Sequence, residues 1–160
     1  DAAGNVLVAG KFQGTANFGG SDLSSAGGFD VFVAKFSAAG VHQWSKRFGA
    51  ASDDDAKAVA FDASGNALLG GSFGGTVDFG GGALTAVGGG DAFIAKLSPA
   101  GAHVSSRRFG GSGYQYTNAM AFDGSGNTFA AGMFQGTIDF GQGARSCAGL
   151  YDAFVAKLAP

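Results

Sequence analysis

Two segments of this chain, 61 residues apart, carry the side chains best suited to bind a ligand. Residues 50–55 read AASDDD, and the equivalent residues 111–116 read GSGYQY. Carboxylates accept bonds from cations and hydroxyl groups, and tyrosine offers flat apolar area together with a hydroxyl. We therefore predict loops that contact a carbohydrate or a peptide, with a plain solvated loop as the alternative. The residues predicted to bind are Asp53, Asp54, Asp55, Tyr114, Gln115 and Tyr116.

One catalytic pattern occurs in the sequence. Residues 70–74 match G-x-S-x-G, which in some hydrolases places a nucleophilic serine on a sharp turn between a strand and a helix. The residues that follow, GTVD, do not favour a helix, and the equivalents of Ser72 in the neighbouring repeats are Lys11 and Met133. We interpret the match as a coincidence and predict no catalytic residue.

Other catalytic signatures are missing from the sequence. It contains no phosphate-binding loop, no G-x-G-x-x-G, no H-E-x-x-H, no C-x-x-C and no glycosylation sequon. The chain is therefore predicted to be non-enzymatic. The alternative is a piece of a hydrolase or lyase whose catalytic residues lie on other repeats.

Two histidines recur at one position of the repeat. His42 and His103 could share a metal ion, but no cysteine or carboxylate cluster accompanies them at ligand spacing. Both lie on a polar, outer type of strand, so we interpret them as surface residues and predict no metal site.

The most regular polar pattern is an aspartate followed by a lysine five residues later. These residues could form a ring of charges around a ligand in a central channel. The structural interpretation, which we favour, is that each aspartate caps a turn through backbone amides, while each lysine snorkels or forms an ion pair. The residues are Asp30, Asp91 and Asp152, with Lys35, Lys96 and Lys157.

The turns D-x-x-G-N at Asp62 and Asp123 raise the question of calcium. Calcium prefers six to eight oxygen ligands, and each turn supplies too few. An Asx-type turn explains the pattern, so no cofactor is predicted, although the acidic run at 53–55 leaves calcium open.

Composition narrows the class of protein. The 160 residues are 46% hydrophobic and 14% charged, which suits a packed domain and not a disordered segment. The formal net charge is -2 and the basic residues are scattered, so a nucleic-acid partner is not expected. No apolar run approaches the roughly 18 residues of a membrane helix, so membrane insertion is not expected either.

Tandem repetition positions all these residues. The segment that begins at Asp62 recurs from Asp1 and from Asp123, and periods of this order are typical of propellers and solenoids. Four strands are predicted per repeat: an inner strand of small residues (56–61, 117–122), two apolar strands (5–12, 30–37) and a polar outer strand (41–48). This gradient predicts an all-β propeller of four-stranded antiparallel blades. The alternative is a β-solenoid, specifically a parallel β-helix.

The repeated motifs D-x-x-G-N, G-x-F-x-G-T-x-x-F-G and D-x-F-x-A-K resemble those of the SBBP repeats of bacterial secreted and cell-surface proteins. They cover residues 1–35, 62–96 and 123–157. The resemblance implies a propeller-like fold and an extracellular or cell-surface setting. It implies no catalytic residues.

The chain is predicted to be a single repeat region, residues 1–160, of about 2.6 blades. Residues 1–55 form a partial blade, 56–116 a full blade with its connecting loop, and 117–160 a second partial blade. Because propellers typically need 4 to 8 blades, the expected partners are other blades of the same or neighbouring chains. The expected function is a scaffold or surface-interaction module that binds protein or carbohydrate, with a lectin-like module as the alternative.

Overall fold

The computed structural model describes residues 1–123 and 125–159. All regular elements in these ranges are β-strands, which confirms the predicted all-β class. The strands are β1 (Val6–Phe12), β2 (Thr15–Ala16), β3 (Leu23–Ser24), β4 (Asp30–Phe36), β5 (His42–Phe48), β6 (Asp54–Phe61), β7 (Ala67–Phe73), β8 (Thr76–Asp78), β9 (Ala83–Thr85), β10 (Asp91–Leu97), β11 (His103–Phe109), β12 (Gln115–Phe122), β13 (Thr128–Phe134), β14 (Thr137–Ile138), β15 (Arg145–Ser146) and β16 (Asp152–Leu158). The described ranges contain no helix long and apolar enough to cross a membrane.

The longer strands form three sheets that follow one another along the chain. Their strand orders are β1-β4-β5, β6-β7-β10-β11 and β12-β13-β16. The short hairpins β2-β3, β8-β9 and β14-β15 interrupt the first, second and third sheet respectively. The ladders between these strands are antiparallel, whereas a parallel β-helix would need parallel ones.

Burial follows position in the sheet. The central strands β4, β7 and β10 are buried along most of their length, as their apolar sequences predict. The polar strands β5 and β11 lie at sheet edges, as expected. The apolar strand β1 is more exposed than its sequence suggests, because it is an edge strand, and Val6 is 51% exposed.

The first strand of the second and third sheets begins two residues earlier than predicted. β6 starts at Asp54 and β12 at Gln115, not at 56 and 117. The polar character of these residues suggested a loop, but both side chains are 0% exposed and pair opposite Phe73 and Phe134.

Phenylalanines join neighbouring sheets in a repeated way. Phe79 follows β8 and packs between Phe48 of the first sheet and Phe93 of the second, with ring centroids 5.0 and 4.7 Å away. Phe140 packs likewise between Phe109 and Phe154, at 4.9 Å from each. The second phenylalanine of the motif G-x-F-x-G-T-x-x-F-G therefore fills the space between sheets, and the sheets stack in chain order.

Candidate functional site

A cavity of about 530 Å³ opens where the first strands of the second and third sheets approach each other and β1. Two glycine-rich segments, 74–75 and 88–90, line it. Its polar and aromatic walls are formed by Lys11, Asp53, Asp55, Lys57, Tyr114 and Tyr116. Four of the six residues predicted to bind a ligand, from two distant segments, therefore line one cavity.

The other two predicted ligand contacts are turned away from it. Asp54 and Gln115 are the first residues of β6 and β12, and successive side chains of a strand point to opposite faces. Asp55 and Tyr116 consequently face the cavity, whereas Asp54 and Gln115 are fully buried behind it. The sequence analysis assigned residues 50–55 and 111–116 to loops and therefore did not predict that successive side chains point to opposite faces.

Two lysines that the sequence did not single out add positive charge to the cavity. Lys11 forms an ion pair with Asp55, at 3.1 Å between Nζ and Oδ2. Lys57 lies over the Tyr116 ring, 4.9 Å from its centroid. The ladder between β6 and β7 passes from Ala56 to Ala58, so Lys57 is the extra residue of a β-bulge. Bulges re-aim side chains, which accounts for its position.

Three tyrosines form a short row that begins at the cavity. The rings of Tyr114 and Tyr116 are parallel to within 4°, with centroids 6.3 Å apart, and Tyr151 continues the row at 6.4 Å. Tyr114 is 45% exposed and lies against Gly89, where a Cβ would come within 2.5 Å of its ring. Burial raises the pKa of Tyr116, with Tyr151 and Tyr114 adding to the effect.

The residues at this site that the sequence analysis did not single out share one property: they differ between the repeats. The equivalents of Tyr151 are Gly90 and Phe29, and that of Lys57 is Asn118. A comparison of repeats at every position would have marked them, but it could not have shown which of them meet in space.

The regular aspartates hold turns and do not surround the cavity. Asp30, Asp91 and Asp152 each accept a bond from the backbone N–H four residues earlier, at 2.9, 3.1 and 2.8 Å. Asp30 and Asp91 also form ion pairs with Arg47 and Arg108 of the adjacent outer strands. These arginines were not singled out from the sequence.

The regular lysines reach the D-x-x-G-N turns of their own repeats. Lys96 pairs with Asp62 and Lys157 with Asp123, each at 3.2 Å. Lys35 instead donates to the carbonyl of Pro99 at 3.3 Å. The two most repeated motifs of the sequence thus contact each other.

The carboxylates of these turns are already engaged. Asp62 and Asp123 accept bonds from Asn66 and Asn127 respectively, through both side chain and backbone. The bonds from Asn127 lower the pKa of Asp123 to about 2, with Lys157 contributing. Burial would raise the pKa of Asp62, but the bonds from Asn66 and Lys96 outweigh it, so the pKa lies below its usual value. An Asx-type turn accounts for both motifs.

The remaining candidates lie apart from one another. Ser72 lines the cavity, whereas His42 and His103 are on the outer strands β5 and β11, bonded to Ser45 and Ser106 at 3.1 Å. In residues 1–123 and 125–159, no three His, Cys, Asp or Glu side chains are grouped so as to hold a metal ion.

Comparison with known proteins adds no assignment to this geometry. No protein-family model matches the sequence, and no curated protein matches it significantly.

Proposed function

We propose that this chain is a non-enzymatic β-propeller module that acts in surface interactions and binds carbohydrate in the cavity between its second and third sheets. The observation that carries the proposal is the parallel pair Tyr114 and Tyr116, which lines one cavity together with charged side chains.

The propeller part of the proposal is supported by the strand order. The second sheet is a four-stranded antiparallel meander, and the other two sheets repeat three of its four strands. Propeller blades have this connectivity and stack face to face around an axis. The cavity lies beside the first strands, β6 and β12, which such an arrangement would place nearest the axis.

The chemistry of the cavity supports a sugar ligand. The exposed ring of Tyr114 presents a flat apolar surface, on which the C–H face of a pyranose can lie. The same cavity is lined by the Lys11–Asp55 pair and Asp53, which can exchange hydrogen bonds with hydroxyl groups. A volume of about 530 Å³ is within the range of small-ligand sites.

Binding is favoured over catalysis because the carboxylates of the cavity are engaged. Asp55 is paired with Lys11, and Asp53 accepts a bond from the backbone N–H of Phe29 at 2.9 Å. A glycosidase needs one carboxylic acid and one free carboxylate on either side of the scissile bond. The proposed extracellular or cell-surface setting is supported by the resemblance to SBBP repeats.

The test is a glycan array followed by calorimetric titration with the oligosaccharide that binds best. Tyr114→Ala should weaken binding about tenfold or more, because it removes a stacking ring. Tyr114→Phe keeps the ring and should retain most of the affinity. Val104→Ala, on the exposed outer strand β11, is the control that should change nothing.

Failure to bind any glycan would reject the carbohydrate proposal and leave a scaffold. Equal affinity of Tyr114→Ala and the unmodified chain would place the ligand elsewhere.

A further inference from the structure

Two carboxyl groups are buried together at the junction of the first and second sheets. Asp30 on β4 and Asp54 on β6 are both 0% exposed. They face the same small space, since a Cβ on Gly49 would lie 2.7 Å from Asp30 Oδ1 and 2.7 Å from Asp54 Oδ2. In each residue Oδ1 has no hydrogen-bond partner among the described residues.

The charges around this pair do not balance. Arg47 on β5 reaches Asp30 Oδ2 at 2.5 Å and so compensates one carboxylate. The nearest residues in the chain, Asp53 and Asp55, are acidic, and Lys11 on β1 is paired with Asp55. The residue opposite Asp54 on β7 is Phe73, which carries no charge. A second buried carboxylate would thus remain uncompensated, which is a costly arrangement.

The junction of the second and third sheets shows which kind of side chain fits the position of Asp54. There Asp91 takes the place of Asp30, Arg108 that of Arg47 and Gln115 that of Asp54. Gln115 is neutral and both donates and accepts: its Nε2 bonds the carbonyl of Gln135 at 2.8 Å, and its Oε1 accepts from Gly111 at 3.3 Å.

A carboxylate can only accept hydrogen bonds, whereas a protonated carboxyl group can also donate. Asp54 already accepts from the N–H of Ala50 at 3.2 Å, and its other oxygen needs a polar partner. Protonation would give Asp54 the neutral, two-way bonding character that Gln115 has.

We propose that Asp54 is a proton-binding switch, which is protonated when β6 is packed against the first sheet and which loosens the start of β6 when the proton leaves. Because Asp53 and Asp55 flank it, the switch controls the wall of the cavity. This last consequence alone rests on the proposed ligand site.

The direction of the pH dependence follows from burial. Burial above all, together with the negative charges of Asp30 and Asp53, raises the pKa of Asp54 from 3.8 to about 7, although the bond from the backbone N–H of Ala50 opposes the shift. The folded chain then binds the proton more tightly than the unfolded chain does. The contribution of Asp54 to stability is therefore complete below about pH 4 and is lost as the pH rises through about 7.

The first test is a carbon-detected NMR titration of the aspartate carboxyl groups in the 160-residue chain. We expect the Asp54 carboxyl to titrate near neutral pH. Titration of Asp54 in the same pH range as the exposed aspartates would overturn the proposal. This measurement needs neither a variant nor a ligand, so it is independent of the carbohydrate proposal.

The second test compares amide hydrogen exchange at the starts of β6 and β12 between pH 5 and pH 8.5. After correction for the intrinsic exchange rate, protection at residues 54–56 should fall relative to residues 115–117, where Gln115 does not titrate. A constant ratio would contradict the switch.

The third test is urea unfolding of Asp54→Asn over the same pH range. The variant should lose the fall of the unfolding midpoint with pH, whereas Asp53→Asn should keep it. The double variant His42→Gln/His103→Gln, which removes both histidines of the chain, is included as a control and should keep the fall as well. An unchanged pH profile in Asp54→Asn would reject the role of Asp54; if that variant does not fold, the two measurements on the unmodified chain decide.

Discussion

Arg108 illustrates how single residues hold this molecule together. It lies on the exposed outer strand β11 and is about a third exposed, but its guanidinium pairs with the fully buried carboxylate of Asp91. Asp91 in turn caps the turn before β10 through the backbone N–H of Val87. One surface-accessible side chain therefore compensates a charge that water does not reach.

Replacing Arg108 by methionine should lower the free energy of unfolding by about 3 kcal/mol, because the Asp91 charge would be left buried without a partner. Arg107→Met, at the neighbouring exposed position, should cost less than about 0.5 kcal/mol. Urea unfolding measures both. Adding Asp91→Asn to the Arg108 variant should recover part of the loss, and no recovery would show that the arginine acts through packing alone.

At the scale of elements, the short hairpins have a structural task beyond joining longer strands. β8 and β9 together contain only six residues, too few to be stable alone. The hairpin nevertheless delivers Phe79 into the junction between the first and second sheets, where its ring contacts those of Phe48 and Phe93. The hairpin thus stabilises the packing of the first sheet against the second.

Phe79→Ala should reduce the free energy of unfolding by about 3–5 kcal/mol, the usual cost of removing a buried phenylalanine. Val87→Ala, at a half-exposed position beyond the same hairpin, is the control and should cost little. Differential scanning calorimetry gives the comparison. Equal effects of the two substitutions would mean that Phe79 is not the contact that joins the sheets.

The position of a strand was predictable where its own sequence pattern determined it. It was not predictable where contacts between residues distant in sequence determined it. Apolar sequence and repetition predicted β4 as 30–37, close to Asp30–Phe36, and β5 as 41–48, close to His42–Phe48. The same reasoning did not predict that β6 and β12 begin at Asp54 and Gln115. Polar residues at the start of a strand are typical of loops, and the burial of these two depends on partners distant in sequence. The pairing of the 50–55 and 111–116 segments in one cavity was likewise a matter of tertiary contact.

At the scale of the whole molecule, the two outer sheets end in strands with an open side. β1 and β16 are edge strands of three-stranded sheets, and β16 carries Val155, which is 77% exposed. An exposed apolar edge strand is a template for pairing with another chain. The chain in isolation is therefore expected to self-associate through β16 as its concentration rises.

Val155→Lys should shift this association to higher protein concentration, because a charge on an edge strand opposes pairing. Sedimentation velocity over a concentration series measures the shift. Val104→Lys, on the polar edge strand β11, is the matched control and should leave association unchanged. If both variants associate like the unmodified chain, β16 is not the contact.

The stacking of sheets in chain order affects how the chain folds and how it unfolds under force. One apolar cluster contains residues of the first and second sheets, and the other contains residues of the second and third. In these clusters, each sheet is therefore stabilised by packing against its neighbours in the chain. β10 contributes Phe93 to the first cluster and Ala92 to the second, one from each of its faces. In such arrays folding nucleates in one unit and propagates to the next. The middle sheet, held from both sides, is the natural nucleus, and under a pulling force the chain would yield from its ends inward.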